Sequence, residues 1–256
     1  MTLPTLFFIH GMWGTPAHWN GMRAHFEARG HASYAPVLPW HDIDPRAPAP
    51  PQLGDVSVGD YVAFLVDELS RINGEVVIVG HSMGAMLAQL VAERVQPAGL
   101  ILLSPGPTAE TGALAISPLR ATSGVTTKAG WWKKPTKIDR DKALWGIYNE
   151  VPADIANLEA DALVWDSGRV LFQMAMPWAD PAHGTRLDYG RLRMPTLVVV
   201  GDQDRITPIG NARATARKLA GQVDYREISG AGHWLFHSPV VEQVIGEMTA
   251  FLGGLG

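Results

Sequence analysis

Short runs of nearly unbroken apolar residues, each ended by glycine or a turn, constrain this chain more than any other feature. Glu75-Val76-Val77-Ile78-Val79-Gly80 is the clearest of them. It is β-branched and has no polar face, so it predicts a strand buried on both sides within a sheet. Residues 5–9, 32–38, 99–103, 195–201 and 223–228 predict five more. Helical spacing fills the gaps. Thr15-Pro16 predicts a helix start with Thr15 as N-cap, running to about Arg29 where Gly30 stops it. Residues 58–72 place Tyr61, Leu65, Val66 and Leu69 on one face, with Asp67, Glu68 and Arg71 away from it. Further helices are predicted over 83–95, 211–219 and 240–252. Strands alternating with helices imply an α/β fold, a mostly parallel sheet of about six strands flanked by helices on both faces.

Between Ser104 and Met194 the alternation stops for about 90 residues. A structureless loop of that size does not suit a compact domain. The expected organisation is therefore a core from residues 1–104 and 191–256, with 105–190 as a helical cap or lid inserted over one edge of the sheet. Five of the nine tryptophans lie in that segment: Trp131, Trp132, Trp145, Trp165 and Trp178. Most are expected to hold the cap together. Trp178, and Trp13 outside it, are the candidates for lining a substrate pocket. Lys133, Lys134 and Lys137 beside Trp131 and Trp132 suit a solvated loop better than a membrane-surface contact.

The N-terminal apolar run lacks a basic flank and a small-residue cleavage site, so it predicts a strand and not a secretion signal. No apolar window reaches the length of a membrane span. The chain contains no cysteine, which removes disulfides, thiolate chemistry and cysteine-based metal sites and leans towards the cytoplasm. With a net charge of −4 and no basic stripe, nucleic acid is not an expected partner.

One motif carries chemistry. Gly80-His81-Ser82-Met83-Gly84 fits G-x-S-x-G, preceded by the central strand and followed by a helix. A serine on so sharp a turn projects its hydroxyl clear of the backbone, and the helix start aims N–H groups at it. Serine needs a base, and histidine is the usual one. His233 lies in a glycine-softened loop, Gly230-Ala231-Gly232-His233, directly after the last strand. His237 is the rival, with a simpler role at a helix entry. The acid that orients the base is expected in Gly201-Asp202-Gln203-Asp204. Asp204 stands further from the strand and is preferred, while Asp202 suits a loop-capping role. Backbone N–H donors for an oxyanion are expected at Met83 and, from His10-Gly11-Met12-Trp13-Gly14, at Met12. His10 is expected to brace that loop and not to act as a base.

These four stretches, in this order, resemble the α/β-hydrolase superfamily, in particular its compact esterase, lipase and monoacylglycerol-lipase-like branch. The resemblance implies a Ser82-His233-Asp204 triad, Met12 and Met83 as oxyanion donors, and a lid after the strand near Leu103. Two departures stand out. The two leading strands common in the family are expected to be absent, and Trp40 in Pro39-Trp40-His41-Asp42 stands where many relatives have glycine. The implied activity is hydrolysis of small or medium apolar acyl or aromatic esters through an acyl-serine, with a small-molecule substrate and neither cofactor nor metal. The same triad serves a C–C hydrolase, a thioesterase, a lactonase or a perhydrolase equally well. A non-catalytic receptor on the same fold is the alternative from another class, although such receptors usually carry a degraded triad.

Overall fold

Side chains alternate across a strand, and the first strand uses both sides. Leu6 and Phe8 enter one hydrophobic core, Phe7 and Ile9 another. A computed structural model of the protein describes residues 3–112 and 116–255; residues 1, 2, 113–115 and 256 lie outside the described residues. The chain runs β1 (Thr5–Ile9), α1 (Asn20–Glu27), β2 (Ser33–Tyr34), α2 (Val58–Ser70), β3 (Val76–His81), α3 (Met83–Val95) and β4 (Gly99–Leu103). The inserted segment follows, with α4 (Ile116–Thr126), β5 (Pro135–Thr136), α5 (Arg140–Gly146), α6 (Ala153–Ala162), β6 (Asp166–Ser167) and α7 (Gly168–Ala175). The chain then returns through β7 (Thr196–Gly201), α8 (Ile209–Lys218), β8 (Val223–Ile228) and α9 (Val240–Gly253).

Six strands form one sheet in the order β2-β1-β3-β4-β7-β8, and every pairing is parallel. Residues of α2, α3 and α8 cover one face, and those of α1 and α9 the other. This is the parallel α/β architecture expected from the alternating pattern, and it agrees with the fold that the resemblance implies. Parallel strands send all their C-terminal ends to one edge, so the loops after β1, β3, β7 and β8 gather there.

The predicted elements differ from the observed ones where local chemistry intervenes. The strand expected over 32–38 shrinks to Ser33–Tyr34, which pairs only with Leu6 and Phe7. Pro36 has no N–H to continue the ladder. The helix expected from Thr15 opens with a 3-10 turn over Pro16–Trp19, and Thr15 makes no side-chain cap. On α2, Glu68 is buried and not turned away: its carboxylate accepts the Tyr34 hydroxyl and pairs with Arg71. Helix α2 begins with a capping box between Ser57 and Asp60 that hydrophobic spacing does not reveal. The inserted segment adds a small antiparallel pair, β5 with β6, to the helices expected there.

Helix α3 lies almost in contact with the strands. A Cβ on Gly84 would fall 2.2 Å from the carbonyl oxygen of Ile9 on β1, and one on Gly80 would fall 2.3 Å from that of Gly84. Both obstacles are backbone, which cannot swing aside. Gly84→Ala is therefore expected to lower stability by about 3 kcal/mol or more, at the upper end of overpacking effects. Urea denaturation followed by far-UV circular dichroism measures it, and a wild-type midpoint would refute the close approach.

Candidate active site

Ser82 joins β3 to α3 with φ 57° and ψ −123°, a conformation that costs a non-glycine residue about 1–3 kcal/mol. Its backbone is held on both sides. The Ser82 N–H donates to the Leu103 carbonyl (3.0 Å), and the Ser82 carbonyl accepts N–H groups from Ala85 (3.0 Å) and Gly106 (2.9 Å). Met83 opens helix α3, so the positive end of the helix dipole lies beside the serine.

His233 stands on the loop after β8 and Asp204 on the loop after β7, both buried. His233 Nδ1 lies 2.8 Å from Asp204 Oδ2. The other carboxylate oxygen accepts the N–H groups of Ile206 and Thr207, each at 2.8 Å. A carboxylate can only accept, so Nδ1 is the ring nitrogen that presents an N–H to Asp204. Thr207 Oγ1 lies 2.8 Å from Asp204 Oδ2 and 3.2 Å from His233 Nδ1, a third polar contact at the same junction.

The other candidate residues have different partners. Asp202 accepts the Gly230 N–H (2.8 Å) and ties the two loops together. His237 Nε2 meets the Glu150 carbonyl at 3.1 Å. His10 Nδ1 donates to the Gly11 carbonyl (3.0 Å), and burial together with the nearby His41 pushes its pKa down to about 3. His81 is a residue that the motif alone leaves unassigned. Its Nε2–H donates to the His233 carbonyl (3.0 Å), and burial, then the nearby His233, hold its pKa well below the ordinary value. It braces the histidine loop as a neutral donor. The x in G-x-S-x-G carried no signal of this, because its partner lies 152 residues away.

Ser82, His233, Met12 and Met83 line one cavity of about 640 Å³. Leu163, Leu171 and Met174 of the inserted segment supply much of its apolar wall. Trp13 lines it while 3% exposed, and Trp178 lines it while 82% exposed, at its rim. The remaining tryptophans of the segment do not line it: Trp131 is buried, Trp132 is half exposed, Trp145 lies under the Arg120 and Arg205 guanidinium groups and Trp165 Nε1 donates to the Ala47 carbonyl. Lys133 and Lys134 are exposed, and Lys137 Nζ reaches the Pro45 carbonyl (2.8 Å). Among the described residues, no group of three histidine, aspartate or glutamate side chains is arranged to hold a metal ion. Among them, too, no helix is long and apolar enough to cross a membrane.

Residues 6–244 match the alpha/beta hydrolase family. A pyrethroid hydrolase of Sphingobium wenxiniae is 34% identical over 134 residues, which is 48% of this chain and 45% of that protein, so the likeness spans less than half of that relative. An sn-1-specific diacylglycerol lipase of Mus musculus is 23% identical across 98% of this chain and 81% of its own length. Among solved structures, a methylesterase of Arabidopsis superposes with a TM-score of 0.72 at 12% identity, covering 98% of this chain and all of that one. That last likeness concerns the fold.

His10 and His81, both buried, and the largely enclosed His18 are held in neutral form, which makes stability depend on acidity. Burial lowers His10 to about 3 and His18 to about 4, and drives His81 down as well. In the unfolded chain each binds a proton below about pH 6.5, whereas the folded protein refuses it. Their contribution is thus complete above the unfolded value and is lost as pH falls, at up to about 1.4 kcal/mol per pH unit for each histidine. Urea midpoints measured from pH 7 to pH 4.5 are expected to fall steadily, and a flat profile would contradict the neutral burial.

Proposed function

Because the chain belongs to the alpha/beta hydrolase family, we propose that it is a serine esterase whose nucleophile is Ser82. The observation that carries this is the His233–Asp204 contact of 2.8 Å at the wall of the cavity that Ser82 also lines. In this reading His233 Nε2 takes the Ser82 proton as Oγ attacks the ester carbonyl. Asp204 fixes the ring and stabilises its charged form. The tetrahedral oxyanion receives the N–H groups of Met12 and Met83, whose backbone dipoles are already oriented before the charge develops. His233 then gives the proton to the leaving alkoxide, and an acyl ester remains on Ser82. Water attacks that ester with His233 again as base, releasing the acid and restoring the hydroxyl.

Residues 105–190 act as the cap over a core of 1–104 and 191–256, and their leucine and methionine side chains favour apolar acyl or aryl groups. An ester as the scissile bond is supported by the relative whose name specifies a diacylglycerol lipase. Trp13 and Trp178 are assigned to substrate contact, the first inside the cavity and the second at its mouth.

Ser82→Ala is expected to lower kcat/KM for p-nitrophenyl butyrate by about 10³-fold or more without changing the circular dichroism spectrum. Asp204→Asn is expected to lower it by about 10³-fold, since the amide favours the wrong tautomer of His233. Retained turnover in the Ser82 variant would sink the assignment. Faster turnover of matched thioesters or β-diketones by the wild type would move the activity to another bond.

A further inference from the structure

The oxyanion loop adopts a conformation that its own sequence does not favour. Trp13 has φ 61°, in the left-handed region that bulky side chains avoid. Both of its backbone polar groups are held by the inserted segment. Its N–H donates to Asp166 Oδ2 (3.0 Å), and its carbonyl accepts the N–H of Val164 (2.8 Å). Asp166, on β6, is fully buried. Its Oδ1 accepts the Tyr61 hydroxyl from α2 (2.8 Å) and the N–H of Ser167 (2.6 Å).

The carboxylate also faces a histidine. His41 Nε2 lies 3.1 Å from Asp166 Oδ2, with both side chains out of solvent. Its Nδ1 lies 3.0 Å from the Pro39 carbonyl, and only an N–H can face that oxygen. With Nδ1 bound to a carbonyl and Nε2 facing a carboxylate, the surroundings of His41 favour its protonated form. Burial alone disfavours both charges, yet their attraction and the added hydrogen bonds prevail. His41 is raised above its ordinary pKa, and Asp166 is held below its own. A buried pair is costly to desolvate, and Asp166 offsets that cost with hydrogen bonds from Trp13, Tyr61 and Ser167, whereas His41 Nε2 faces it by charge alone.

Four separate stretches meet at this carboxylate: the oxyanion loop, the loop after β2, helix α2 and the inserted segment. We propose that Asp166, charged and held by His41 and Tyr61, is a positioning residue that clamps Trp13 and so fixes the adjoining Met12 N–H for the oxyanion. The inserted segment then does more than wall the cavity, since the base of the cap completes the oxyanion site. The proposal rests on the catalytic role assigned above to Ser82 and Met12.

Stability loss alone changes how many molecules are folded, but not how fast each folded site reacts. The test is therefore the rate constant for phosphonylation of Ser82 by a fluorophosphonate, whose P=O needs the same donors, alongside kcat and KM for p-nitrophenyl butyrate per titrated site. Asp166→Asn is expected to slow both phosphonylation and kcat by about ten-fold or more, as a displaced donor does. KM and the inhibition constant of 1-octanol, which makes no oxyanion, are expected to stay within about two-fold. Removing one partner of a buried pair often prevents folding. Tyr61→Phe keeps the volume and the charge and removes one hydrogen bond to Asp166, with an expected slowing of about three-fold. Wild-type rate constants in folded Asp166→Asn and Tyr61→Phe, or in Tyr61→Phe alone if the other variant does not fold, would overturn the clamp and leave the Ser82 assignment intact. Failure of the wild type to label at Ser82 would overturn both.

Discussion

The contact between helix α3 and the sheet is the constraint on which the site depends. Gly80 and Gly84 let two backbones approach to distances that no side chain permits. That approach forces the intervening Ser82 into its unfavourable dihedral angles, and the bonds from Leu103, Ala85 and Gly106 keep it there. The strain is local, while the energy that sustains it comes from the strands and helices packed around the turn. The same geometry sets Ser82 at the start of a helix and at the C-terminal edge of the sheet. Both properties suit the proposed reaction, in which negative charge develops.

Histidine does several unlike jobs around this edge. His10 and His81 are buried in neutral form and brace loops through carbonyl contacts. His41 is buried beside Asp166, whose attraction raises its pKa above the ordinary value. His233 Nδ1 sits against Asp204, and the proposed reaction uses the other nitrogen, Nε2. What separates them is the partner on each nitrogen. A carbonyl demands an N–H, a carboxylate favours the cation, and burial penalises any charge that is not met.

Much of the architecture is legible along the chain. Strands β3 and β4 and helix α3 are written in unbroken apolar runs, because a residue pattern with no polar face can only be satisfied by burial on both sides. Ser82, Asp204 and His233 are legible too, since each follows a strand and must therefore emerge at one edge of a parallel sheet. The capping box at Ser57, the burial of Glu68 and the β5–β6 pair were not legible. They rest on hydrogen bonds whose partners are set by neighbouring packing and not by hydrophobic period.

The order of apolar runs and the spacing of G-x-S-x-G were determined by the sequence itself, because side-chain period and glycine's missing Cβ act over a few residues. Which nitrogen each histidine presents, and which tryptophan reaches the cavity, was decided only by the tertiary structure. So was the meeting of Trp13, His41, Tyr61 and Asp166, where Trp13 and Asp166 stand 153 residues apart. Burial and charge compensation depend on what surrounds a group in space, and no local pattern records it.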